Sequence, residues 1–181
     1  MAEDKNLTKR EINSLRIKRM VLTGLLFAVV LVLSVVENQL QIPVPVPGVK
    51  LGLSNIVVMY SLFFVEKKEA LLLAVLKSIF VFLTRGTVAA LLSFCGGLLS
   101  VLGMILFLFL FKEKISYLMI SILGAVFHNI GQIAAVSLLY TNLFLWAYAP
   151  VLLLSGVIAG AATSALLKVT LPALKKVGFS K

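Results

Sequence analysis

The sequence predicts an all-α integral membrane protein, a bundle of six transmembrane helices with both termini cytoplasmic. Three observations lead there. Hydrophobic residues make up 61% of the 181 residues, and the mean hydropathy is +1.10. That lies outside the usual composition of a soluble globular domain. Several apolar runs are long enough to cross a bilayer, for which ~20 helical residues suffice. The charges gather at the chain ends and in short turns between the runs, as they do in multi-pass proteins.

Residues 1–19 are polar and basic, with Lys5, Lys9, Arg10, Arg16, Lys18 and Arg19. They are expected to lie at the cytoplasmic surface as helix or loop. The long basic stretch, with no small-x-small site before a polar mature domain, is not the pattern of a cleavable signal peptide. The first span runs from about Met20 to Val36. A loop from Glu37 to Lys50 follows and contains PVPVPG, Pro43 to Gly48. Three prolines at alternate positions exclude a regular helix and favour a stiff, extended segment.

The second span runs from about Leu51 to Val65 and ends at the charged turn Glu66-Lys67-Lys68-Glu69. The third, about Ala70 to Leu83, contains Lys77, and Thr84-Arg85-Gly86-Thr87 turns the chain back. The fourth runs from about Val88 to Phe111 and closes at Lys112-Glu113-Lys114. The fifth, Tyr117 to Tyr140, has 24 residues and no charge at neutral pH. Asn142 lies in the turn after it. The sixth runs from about Phe144 to Leu171, with Pro150 near its start, where proline is tolerated. Residues 20–171 thus form one transmembrane domain, and 172–181 a basic cytoplasmic tail with Lys175, Lys176 and Lys181.

Six spans put both termini on one side. With the termini inside, every Lys and Arg except Lys50, Lys77 and Arg85 falls on the inner side, which sets the orientation. Trp146, Tyr140 and Tyr148 then fall near the outer interface. The net charge of +10 is accounted for by this topology signal and by contact with lipid headgroups, so nucleic acid is not an expected partner. Cys95 is the only cysteine and provides neither an internal disulfide nor a metal site.

Small residues recur at helical spacing: Gly24 and Ala28 on the first span, Ser93, Gly97 and Ser100 on the fourth, Gly156, Gly160 and Ser164 on the sixth. Such stripes let helices approach closely. They serve either packing within the bundle or docking of a partner membrane protein.

The most informative feature is the string FHNIGQ in the fifth span, with His128, Asn129 and Gln132. Strong polar groups at that depth are costly in lipid and face a bundle interior or a cavity. His128 and Gln132 are one turn apart and share a face. Ser121, Gly124, Ala125 and Ala135 lie on or near that face, and Asn129 sits at its edge. Val126, Phe127, Ile130 and Ile133 make up the side expected to face lipid. The trio either fixes packing through interhelical hydrogen bonds or lines a pocket.

Glu37 is the only acidic residue on the outer half, and Lys50, Lys77 and Arg85 are the only basic ones. A deep lysine such as Lys77 snorkels to phosphates, pairs with Glu37 or holds an anionic ligand. Arg85 is either a solvated turn residue or part of the same rim. Asn55 either caps the second span or lines the pocket. Glu37, Asn38, Lys50 and Asn55 would form a gate and rim, and Lys77, His128, Asn129 and Gln132 a floor. A net positive lining suits an anionic or carbonyl-rich ligand.

Catalysis fits poorly. Diphosphate chemistry with Mg²⁺ needs aspartate clusters, and Asp4 is the only aspartate. There is no Walker motif for ATP hydrolysis. One histidine without a carboxylate or thiol at known spacing is no metal or nucleophile signature. No intrinsic cofactor is expected.

Three blocks carry a resemblance: LSVVENQLQIPVPVPGVKLGLSNIVVM (Leu33 to Met59), SFCGGLLSVLGM (Ser93 to Met104) and GAVFHNIGQ (Gly124 to Gln132). Together they resemble the bacterial Gx transporter family, also labelled heptaprenyl diphosphate synthase component I. That family is similar to the substrate-binding S components of energy-coupling factor (ECF) transporters. The resemblance implies an S-component-like six-helix bundle in the bacterial cell membrane that binds a small organic ligand from the outer face. It implies a transmembrane coupling subunit and ATPases as partners. Gly24 and Ala28 would then be the docking face, and the loop Glu37 to Lys50 the gate. The resemblance also implies an alternative, a membrane subunit of flavin-based extracellular electron transfer. That subunit would handle a bound flavin or quinone beside an extracytoplasmic FMN-binding protein.

Overall fold

The computed structural model describes residues 9–39, 53–111, 115–140, 146, 147 and 149–176, except that the side chains of 38, 140, 170, 171 and 173–176 are outside the description. Among the described residues there are six α-helices and no strand: α1 Lys9–Gln39, α2 Leu53–Phe64, α3 Lys67–Arg85, α4 Thr87–Phe111, α5 Tyr117–Tyr140 and α6 Ala149–Lys176. The loop predicted from Glu37 to Lys50 lies largely outside the described residues, as do Lys50, Asn142, Tyr148 and the end of the basic tail.

The first helix differs from its expected limits. It is one helix of 31 residues that begins inside the basic segment. No glycine or proline interrupts residues 9–23, so helical hydrogen bonding runs unbroken from the charged end into the apolar run. The sixth helix also runs past its expected end, through Pro172. Proline there removes one backbone donor, which costs less near a helix end than in the middle.

Four helices, α1, α4, α5 and α6, are long and apolar enough to cross a membrane. The other two, α2 and α3, are shorter or more charged over their described residues. At 12 residues α2 is ~18 Å long, short of the ~30 Å hydrocarbon core. Its residues Ile56 to Tyr60 are all buried, with Met59 and Tyr60 each only 2% exposed. Its neighbours cover this apolar helix on nearly every side within the bundle. The third helix, α3, carries Lys67, Lys68, Glu69, Lys77 and Arg85 among its 19 residues.

The core forms around α2. Leu22, Leu26 and Val30 of α1, Leu73 and Ala74 of α3, Val101 and Met104 of α4, Ile120 of α5 and Leu167 of α6 join one buried cluster with it. Polar clasps hold α1 to this unit at one end. Arg19 Nη1 pairs with Glu66 Oε1 at 2.6 Å, and Thr23 Oγ1 donates to Glu69 Oε2 at 3.0 Å.

The helices α4, α5 and α6 pack side by side, with α5 in the middle. Glycine makes this approach possible. A Cβ on Gly131 of α5 would sit 2.7 Å from the Cys95 carbonyl oxygen and 2.9 Å from the Gly96 Cα. On α6, a Cβ at Gly160 would meet the Ile122 Cα at 2.5 Å. Gly97 lies against Ala74, so the small-residue stripes of α4 and α6 serve packing within the bundle. The α1 stripe does not: Gly24 and Ala28 are exposed, and nothing lies within 4 Å of a Cβ at Gly24.

Part of the greasy side of α5 is taken up by packing against α4 and α6, while Val126 and Ile130 stay only half-buried. Phe127 packs onto Gly103 and lies 6.0 Å from the Phe107 ring, while Ile133 is buried beside Leu152.

Candidate functional site

One cavity of about 180 Å³ occupies the interior, and all six helices contribute to it. Glu37 from α1, Asn55 from α2, Lys77 and Arg85 from α3, and His128, Asn129 and Gln132 from α5 all line it. The structure thus brings seven of the nine sequence-predicted site residues together. Lys50 and the side chain of Asn38 are outside the described residues. Gly24 and Ala28 are on the outer face of α1, away from the cavity.

Local structure explains the placement. The turn between α3 and α4 contains a single residue, Gly86, at φ +86°. That left-handed conformation favours glycine and reverses the chain at once. It sets Thr84 and Arg85 of α3 beside Ala89 and Leu92 of α4 at the cavity wall. Thr84 and Arg85 are exposed, so the cavity nears the surface there. From Gln132 the lining continues along α5 through Asn129, His128, Ala125 and Gly124 to Ser121. These lining positions, eleven rises of 1.5 Å apart at their ends, extend over ~16 Å of α5.

Among the described residues, two cations and one carboxylate line the cavity. Lys77 does not snorkel away: its Nζ donates to Asn55 Oδ1 at 2.8 Å. Glu37 is 8% exposed and accepts from Ser54 Oγ at 3.4 Å. Its carboxylate is within electrostatic reach of both Lys77 and Arg85. Asn55 therefore lines the pocket and positions the lysine.

The α5 trio divides its roles. Asn129 Nδ2 donates to the Leu152 carbonyl at 2.6 Å, which ties α5 to α6. His128 packs against Gly96, where a Cβ would come within 2.9 Å of its ring, and its buried Nδ1 lies close to the Gly96 backbone without a well-aligned hydrogen bond. Ser34 Oγ and Ser93 Oγ, which also line the cavity, are likewise buried and unpaired. Each such group costs ~1–3 kcal/mol if left unsatisfied. Three of them around one cavity suit a polar occupant.

Sequence reading put Ser121 on the polar face of α5 but counted no hydroxyl among the site residues. Ser34, Ser54, Ser93, Ser100, Ser121, Thr84 and Thr163 all line the cavity. Their signal was hydroxyls recurring within otherwise apolar runs, which resembles small-residue packing. Among the described residues no group of three or more His, Cys, Asp or Glu could hold a metal ion.

Comparison with family models matches residues 26–170, most of the chain, to the family described as heptaprenyl diphosphate synthase component I. No curated protein and no solved structure matches the chain.

Proposed function

Since the chain belongs to the heptaprenyl diphosphate synthase component I family, also called the Gx transporter family, we propose that it is a substrate-binding membrane protein resembling the S component of an ECF transporter. It takes a small organic ligand into the cavity from the Arg85 end. That end faces the cell exterior when the basic termini lie in the cytoplasm. The coupling subunit docks on the open Gly24–Ala28 face of α1, and separate ATPases supply the energy, since the sequence holds no Walker motif.

The observation that carries this reading is the set of unpaired polar atoms, Ser34 Oγ, Ser93 Oγ and His128 Nδ1, around one cavity that also holds Lys77 and Gln132. Buried sites of that kind bind ligand or water through the groups left open. The synthase wording of the family finds no support in the residues, because Asp4 is the only aspartate available to hold a metal–diphosphate pair. The flavin or quinone reading draws little support from the lining, where among the described residues Phe80 is the only aromatic ring besides the His128 imidazole.

Native mass spectrometry of the detergent-purified protein tests the proposal. A co-purified small molecule is expected, and it is lost when His128→Ala is combined with Gln132→Ala. Protein that carries no ligand, with uptake unchanged in that double variant, rules the reading out. A bound chromophore that bleaches on reduction would instead favour electron transfer with an extracytoplasmic FMN-binding partner.

A further inference from the structure

We infer that the ligand is a compact organic monocarboxylate, its carboxylate held by Lys77 at mid-depth and its polar body lying along His128 and Ser93. This rests on the cavity being a ligand site, as proposed above, and specifies what the site takes.

Size comes first. A cavity of about 180 Å³ is little larger than the engineered cavity of ~150 Å³ that holds benzene. A single ring or a short chain fits within it. A fused three-ring flavin or a polyprenyl chain exceeds it.

Charge comes second. The lining holds Lys77 and Arg85 against one carboxylate, Glu37, which leaves an excess of one positive charge among the described residues. A monoanion balances that excess; a phosphate or diphosphate overshoots it. The two cations lie eight residues apart on α3, ~12 Å along the helix, so one small group cannot bridge their backbone positions. Arg85, exposed at the mouth, attracts the anion, and Lys77 holds it. Lys77 is presented for this by Asn55, a neutral partner at 2.8 Å. Two of the three ammonium protons remain for the ligand.

Lining chemistry comes third. His128 is within electrostatic reach of Lys77, and its Nδ1 has no well-aligned partner. Ser93 Oγ has none either. A carboxylate bound at Lys77 with a hydroxyl, ring nitrogen or keto group beyond it satisfies both atoms. An apolar tail would leave them unpaired, at a cost that selects against it.

The test is binding to the full chain in nanodiscs, by isothermal titration and thermal shift. The probes are lactate, nicotinate and 4-hydroxybenzoate, compared with nicotinamide, inorganic phosphate, riboflavin and a short-chain menaquinone. Saturable binding of at least one monocarboxylate is expected, with nicotinamide and phosphate at least tenfold weaker. Lys77→Met weakens the bound carboxylate more than tenfold. Lys77→Arg, which keeps the charge, and Arg85→Gln, at the exposed mouth, retain measurable binding and guard against a folding defect. Preference for riboflavin, menaquinone or phosphate overturns the carboxylate assignment and leaves a ligand-binding protein standing. Binding of no probe while a different molecule co-purifies does the same. Binding of no probe and no co-purified molecule overturns both.

Discussion

The Lys77 ammonium donates to the Asn55 side-chain oxygen over 2.8 Å and so ties the middle of α3 to the first turn of α2. This contact joins the short buried helix to the charged one, at the wall of the cavity. Replacing Asn55 with Leu strands the lysine beside apolar groups. The expected loss is ~1–3 kcal/mol of stability, read from unfolding in detergent micelles. Adding Lys77→Met to Asn55→Leu recovers most of it. If the single variant were as stable as the parent, the contact would contribute nothing.

Gly131→Ala separates α4 from α5. Its new Cβ would press on the Cys95 carbonyl and the Gly96 Cα, both of them backbone atoms. Neither can rotate away, so destabilisation of ~1–3 kcal/mol is expected. Gly24→Ala is the control, because a Cβ there meets nothing within 4 Å. Its melting temperature should match or slightly exceed the parent's, given alanine's better helix propensity.

Ser93→Ala and Ser121→Ala should behave oppositely. Ser121 Oγ donates to the Gly160 carbonyl at 2.7 Å and links α5 to α6. Removing it costs ~0.6–1.7 kcal/mol, the range for hydrogen bonds between membrane helices. Ser93 Oγ has no partner, so its removal leaves the empty protein at least as stable as before and relieves an unsatisfied buried hydroxyl. Ligand-induced thermal stabilisation, by contrast, falls in Ser93→Ala.

The Arg19–Glu66 pair is part-exposed, with side chains 42% and 32% accessible. A double-mutant cycle with Arg19→Met and Glu66→Gln should therefore give a coupling of only ~0.2–1 kcal/mol. The coupling should shrink as salt is raised from 0.05 to about 0.5 M. A salt-independent value would mean that the pair is shielded from solvent.

The α5 helix was legible because its apolar run has clear limits and its polar trio stands out against it. Both its bounds and the inward position of His128 follow from that contrast. The lysine's partner was not legible. Asn55 lies 22 residues away, and only the packing of α2 against α3 brings the two together. The packing of Phe127 and Ile133 also escaped, since an apolar side chain looks the same in sequence whether it meets a neighbouring helix or lipid. The burial of α2 was hidden for a related reason: an apolar run does not say how much of it neighbouring helices cover.

The glycine contacts of α4, α5 and α6 have a mechanical consequence. At Gly131 and Gly160 backbone lies against backbone, so at those two crossings no side chain is left to yield. The opposite wall, where α1 and α2 meet α3, is joined by side-chain bridges: Ser54 to Glu37, Lys77 to Asn55, Thr23 to Glu69. Such bridges can exchange partners one at a time. Filling or emptying the cavity is therefore expected to shift α1 and α2 more than the glycine-packed helices, because side-chain bridges rearrange at lower cost than backbone packing.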